Sequence, residues 1–85
     1  MRSATFIVTA TDGIHARPAG YLVKEAGKFQ ADITISFKNK TASARKLFEL
    51  MKLGIKQGDM ITVTADGSDE ATAIETVMQI LEANF

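Results

Sequence analysis

Asp12-Gly13-Ile14-His15-Ala16-Arg17-Pro18-Ala19 joins a β-rich run to an amphipathic helical pattern, and its histidine and proline are the only ones in the chain. Gly13 turns the backbone. Proline suits the first turn of a helix, where its missing N–H costs nothing, so Pro18 puts His15 at or just before the helix start. The free amides and positive dipole end of a helix attract anions, and Arg17 adds a permanent charge. That field disfavours imidazolium, leaving a ring nitrogen of His15 available as a nucleophile. Two readings follow. His15 is either a helix-capping histidine on a loop or a transiently phosphorylated one, whose new dianion would sit where those donors already point.

Working outward, Phe6 and Val8 alternate with threonines over Thr5–Ala10, which reads as a half-buried strand. On the other side Ala19, Leu22, Val23, Ala26 and Phe29 recur on one helical face, Lys24 and Lys28 lie opposite, and Gly27 helps to end the helix. Ile33, Ile35 and Phe37 alternate with Asp32, Thr34 and Ser36 as a second strand. Lys38-Asn39-Lys40 predicts a tight turn, with Asn39 tolerating positive φ, and leads to a third strand over Thr41–Ser43. Arg45–Leu53 predicts a short helix with Leu50 in the core and Gly54 at a left-handed exit. Gln57-Gly58-Asp59 is a loop, and Ile61, Val63 and Ala65 alternate as the fourth strand, which ends at Asp66-Gly67. Ser68 or Asp69 then caps a last helix with Glu70 in its first turn and Ile74, Val77, Met78, Leu81 and Phe85 as its buried stripe. The order is β-α-β-β-α-β-α, an α+β chain.

A chain of 85 residues is read as one domain with a thin core. Without cysteine there is no disulfide, thiolate metal site or cysteine nucleophile, and a lone histidine leaves no ligand set for zinc. Residues 1–6 run into a strand pattern without a signal-peptide or membrane stretch, so a cytoplasmic protein is expected. Net charge is zero, but every Lys and Arg lies at or before Lys56. The acids that follow, including Glu75 and Glu82, read as a solvated helix face; Arg17, Lys24, Arg45, Lys46 and Lys52 form a basic face able to steer acidic proteins. No aromatic residues interleave with these cations, so nucleic acid is not expected as a partner. One histidine without a second converging acid or base does not make a stand-alone enzyme.

The stretch Gly13–Ala19 resembles the active-site motif of HPr, the histidine-containing phosphocarrier family of the bacterial sugar phosphotransferase system. Leu47-Phe48-Glu49-Leu50-Met51-Lys52-Leu53-Gly54 is similar to that family's second helix and exit glycine, and Ala65-Asp66-Gly67-Ser68-Asp69-Glu70 to its approach to the last helix. The resemblance implies an open-faced β-sandwich: four antiparallel strands with three helices on one face, and the fourth strand between the first and second. It also implies that His15 accepts a phosphoryl group on Nδ1 from enzyme I and passes it to enzyme IIA domains. Arg17 and the helix start at Ala16, Arg17 and Pro18 would stabilise that group. Partners would dock on Ala16, Gly20, Lys24, Arg45, Lys46, Leu47, Phe48, Met51 and Lys52, and the carrier would be a monomer that needs no cofactor or metal.

Two positions depart from the family pattern. Lys46 stands where many relatives carry a serine that is phosphorylated as a regulatory signal, so that branch is expected to be absent. A lysine there also puts a cation near the positive helix end, unfavourable by roughly 0.3–1 kcal/mol, so either Ser43 takes over as cap or the helix starts less firmly. Asp12 stands where relatives often carry a neutral residue; it either caps the first helix or repels the phosphoryl group. The intact His15, Arg17 and Pro18 argue against a purely regulatory module on the same fold. The Leu47-Phe48 pair looks like the sugar branch rather than the parallel nitrogen-related phosphotransfer chain.

Overall fold

Alternation decides which side of each strand is covered, and in this chain it covers one side only. A computed structural model describes residues 1–85 as β1 (Arg2–Ile7), α1 (Ala16–Ala26), β2 (Asp32–Phe37), β3 (Lys40–Ser43), α2 (Leu47–Lys52), β4 (Met60–Asp66) and α3 (Glu70–Asn84). The strands form one antiparallel sheet in the order β1-β4-β2-β3, so β4 lies between β1 and β2 as the resemblance implied. Ile33, Ile35, Phe37, Ile61, Val63 and Ala65 are buried beneath the helices. The other face is an array of hydroxyls: Ser43, Thr34, Thr64 and Ser3 are cross-strand neighbours in one row, Thr41, Ser36, Thr62 and Thr5 in the next. β-branched threonine suits a pleated surface open to water.

Several elements differ in detail from expectation. β1 is Arg2–Ile7 rather than Thr5–Ala10, because pairing with β4 ends at Ile7–Met60 and the next amides go elsewhere. Val8 donates to the Asp59 carbonyl, and Thr9 and Ala10 donate to the main-chain oxygen of Phe85. In the β2–β3 turn it is Lys38, not Asn39, that takes positive φ, at 55°, with its ammonium 5.2 Å from the Phe37 ring centre. The attraction of that ring for a cation accompanies the unfavourable backbone. On α3 the deepest side chains are Ala73, Val77, Ile80 and Leu81, with Phe85 just beyond the helix, while Ile74 and Met78 flank the core. The small Ala73 turns the buried stripe slightly from the one expected.

α2 is shorter than Arg45–Leu53. The Ser43 hydroxyl accepts the Arg45 N–H at 3.2 Å and the Ser43 carbonyl accepts the Lys46 N–H at 3.1 Å, so a turn precedes the helix. Lys46 is the N-cap residue and no side chain caps it, which leaves the less firm of the two expected starts. Glu49 in the first turn offsets the dipole and pairs with the Lys46 ammonium at 3.5 Å. Gly54 follows α2 at φ 68°, as expected.

Neither Ser68 nor Asp69 caps α3 with its side chain. Asp69 holds the N-cap position, but its carboxylate is turned across the molecule to the Gln30 and Ala31 amides. Glu70 accepts the Gly67 N–H at 3.2 Å and pairs with the Met1 ammonium at 2.7 Å. That ammonium, and then the Gly67 N–H, hold the Glu70 carboxyl below its ordinary value.

Candidate functional site

The loop that presents His15 is tied down from both sides. Gly13 donates to the Ala10 carbonyl at 2.9 Å, closing a turn, and Ile14 donates to the Ile55 carbonyl at 3.3 Å. Gly13 has φ 66°, and a Cβ there would lie 2.4 Å from the Ile55 carbonyl oxygen, so no other residue fits this crossing. Ile14 is buried in the core and anchors the approach to the helix.

His15 is the N-cap residue of α1, with extended backbone, and no side chain caps the helix. The first helical bond runs from the Ala19 N–H to the His15 carbonyl at 3.0 Å, and the amides of Ala16 and Arg17 have no main-chain acceptor. Pro18, in the first turn, removes one further donor that would otherwise need a partner. Asp12 does not supply a cap: its carboxylate is exposed and accepts no hydrogen bond from α1. The expectation that it caps this helix is corrected. The three-residue step from Asp12 to His15 passes through the left-handed Gly13, and the loop bonds to Ala10 and Ile55 instead.

The imidazole is half-buried, with the Phe85 ring edge-on beside it at 6.2 Å between centres. Arg17 is exposed and makes no ion pair, so its guanidinium is available to an incoming anion. Free amides at a helix start, a permanent cation and an unpartnered imidazole are the kinds of group that attract and react with an anion.

α2 packs against α1, the helix that starts after His15. Phe48 is 80% exposed and Met51 37% exposed, whereas Leu47 leans on the core and Leu50 is buried in it. Phe48 and Met51, three residues apart on α2, thus leave apolar side chains open to solvent. Gly20, midway along α1, has open space over its Cα, so nothing inside the protein demands a glycine there. Lys24 and Lys52 are exposed without carboxylate partners, and Lys46 is shared with Glu49. Arg45 is placed differently. Its guanidinium donates to the carbonyls of Phe29 and Ala31, the latter at 3.0 Å, and lies 3.7 Å from Asp32. It holds the α1–β2 loop and has few donors left for another protein.

The sequence reading missed what Phe85 and Asp69 touch. Phe85 read as a core position and Asp69 as a cap, and only the packing of α3 along β1 and the α1–β2 loop gives them their partners. No three or more of the histidine and carboxylate side chains come together as a metal site would require. No helix is long and apolar enough to cross a membrane. An open groove of about 260 Å³ lies between α1 and α3, beside Tyr21, Glu25, Gln79 and Asn84, and none of the site residues above lines it. Arg17, Phe48 and Met51 are exposed and His15 half-buried, all outside that groove.

A family model described as the PTS HPr component phosphorylation site matches residues 2–83. The chain belongs to the HPr family. It is 41% identical over 81 residues to the phosphocarrier protein HPr of Haemophilus influenzae, covering 95% of each chain. Among solved structures, the histidine-containing phosphocarrier protein of Mycoplasma superposes with a TM-score of 0.94 at 38% identity, covering 96% of this chain and 93% of that one. An HPr dimer from Thermoanaerobacter tengcongensis matches with a TM-score of 0.77 at 34% identity, over 98% and 95% of the two chains. HPr proteins are phosphocarriers of the phosphotransferase system, and the architecture here, open sheet and three helices, is that of HPr.

Proposed function

We propose that this HPr accepts a phosphoryl group on His15 from phosphorylated enzyme I and delivers it to enzyme IIA domains. The observation that carries the reading is His15 at the start of α1, beside the unpartnered Ala16 and Arg17 amides and the unpaired Arg17 side chain. In the forward step the P–N bond of the donor phosphohistidine breaks and its electron pair stays on the donor ring. The lone pair of His15 Nδ1 forms the new N–P bond. Onward transfer repeats the exchange with His15 as the leaving ring. Each step replaces one phosphoramidate by another, so the driving force is small and the direction reversible.

Arg17 and the helix amides stabilise the charge that spreads over the transferring oxygens. They lie at the surface, where water competes, so they hold the group loosely enough to release it. Ala16, Gly20, Lys24, Lys46, Leu47, Phe48, Met51 and Lys52 form the docking face, with soft Met51 able to adapt to different partners. Arg45 supports that face through the loop it holds. The carrier works as a monomer that presents this one face to donor and acceptor in turn, and it is not a catalyst by itself.

The test is incubation with phosphoenolpyruvate, magnesium and a bacterial enzyme I, followed by intact mass and acid lability for wild type and His15→Ala. One acid-labile phosphoryl group, absent in the variant, is the expected result. No gain of mass with active enzyme I overturns the reading.

A further inference from the structure

A histidine that reacts through one ring nitrogen is usually oriented by a hydrogen bond at the other. His15 has no such bond within the protein: none of the side-chain hydrogen bonds or ion pairs reaches its ring. Its ring neighbour is Phe85, with the centres 6.2 Å apart and the planes inclined at 63°. Tilted pairs at this separation are favoured over stacked sandwiches, because each ring has a negative face and a positive edge.

Phe85 is itself held in place. It is 2% exposed, and its N–H donates to the Leu81 carbonyl at 2.8 Å. Its main-chain oxygen accepts the Thr9 and Ala10 amides and the Thr9 hydroxyl, the last at 3.1 Å. Gln57 donates to the Thr9 carbonyl at 3.2 Å from the far side. Ala10 is the acceptor of the turn that Gly13 closes, so the Phe85 main chain is fastened to the same short loop that carries His15.

We propose that Phe85 is a positioning residue for His15, its ring holding the imidazole in the orientation that presents one nitrogen to the incoming phosphoryl group. The proposal rests on the phosphoryl-acceptor reading above. An aromatic ring restrains the imidazole by its angular preference. An aliphatic side chain of similar bulk fills the space without restraining the angle.

The test compares wild type, Phe85→Leu, Phe85→Met and Phe85→Tyr with two donors. With phosphorylated enzyme I, kcat and KM are measured separately. With phosphoramidate, a small donor that needs no docking, phosphorus NMR identifies which ring nitrogen carries the group. Phe85→Leu is expected to lower kcat about tenfold with KM within about twofold, and to give a mixture of the two phosphohistidine isomers where wild type gives one. Phe85→Tyr is expected to restore both. Phe85→Met stands in if Phe85→Leu unfolds in the assay. Wild-type kcat and a single isomer in a folded aliphatic variant overturn the proposal, as does a tyrosine variant as impaired as the leucine one. A wild type that takes no group from enzyme I fails the carrier reading instead, and the phosphoramidate isomers still decide the role of Phe85.

Discussion

The Asp69 carboxylate holds Ala31: Oδ1 accepts the Ala31 N–H at 2.8 Å while Oδ2 accepts the Gln30 N–H at 2.9 Å. Arg45 grips the same segment from the carbonyl side, at Phe29 and Ala31. One acid and one base, thirty-eight and fourteen residues away from Ala31, thus satisfy a loop that has no ladder of its own.

The Gln30 N–H, followed by the Ala31 N–H and the Arg45 charge, holds the Asp69 carboxyl below its ordinary value of 3.8, against desolvation. Since the folded-state value is the lower one, the stabilisation is complete above the ordinary value and is lost as pH falls through the lowered one. Urea unfolding of wild type and Asp69→Ala from neutral to strongly acid pH is expected to show a constant gap that narrows only below about pH 4. A gap that stays the same width throughout the acid range means the carboxylate is not what holds the loop.

Gly13 and Gly54 both have positive φ, but only Gly13 is crowded. Gly13→Ala is expected to lose roughly 2–3 kcal/mol, and Gly54→Ala about 1 kcal/mol, the backbone cost alone. Equal losses on chemical denaturation would show that the Ile55 carbonyl gives way at no cost.

Leu50 and Phe48 sit two residues apart on α2, with opposite consequences. Leu50→Ala opens the core and is expected to cost roughly 3 kcal/mol of folding free energy. Phe48→Ala removes an exposed ring, so stability is expected within about 0.5 kcal/mol of wild type, with affinity for enzyme I down about tenfold by calorimetry. Undiminished affinity would take Phe48 out of the docking face.

Arg17 contacts no other charged group in the free protein, so Arg17→Ala is expected to leave the melting temperature unmoved. Phosphoryl acceptance is expected to slow about ten- to a hundredfold in rapid-quench measurements. Unchanged transfer kinetics would remove Arg17 from the mechanism.

Elements with a strict period were legible in the chain. Ile33, Ile35 and Phe37, and Ile61, Val63 and Ala65, name their strands and their covered face, and Pro18 locates His15 at a helix start. What failed to show were features decided by partners far along the chain. Thr9 and Ala10 read as strand because their residue types suit one, yet their amides are taken by Phe85. Asp12 and Asp69 both look like caps, but loop geometry turns one to solvent and the other across to Gln30 and Ala31. Arg45 reads as part of a basic face, and only the fold reveals the two carbonyls beneath it. Strand order was likewise outside the reach of local pattern and came from family resemblance.

The place of β4 in the sheet has a consequence for how the chain is made. It is the last strand to be synthesised, yet it pairs with both β1 and β2. β1 leaves the ribosome early and waits for a partner more than fifty residues behind it, and β2 has only the short β3 beside it meanwhile. A chain that stops short of β4 lacks the strand that joins β1 to β2, so it cannot form this sheet. Completion of the sheet therefore waits on Met60–Asp66, the segment that brings the two earlier strands together.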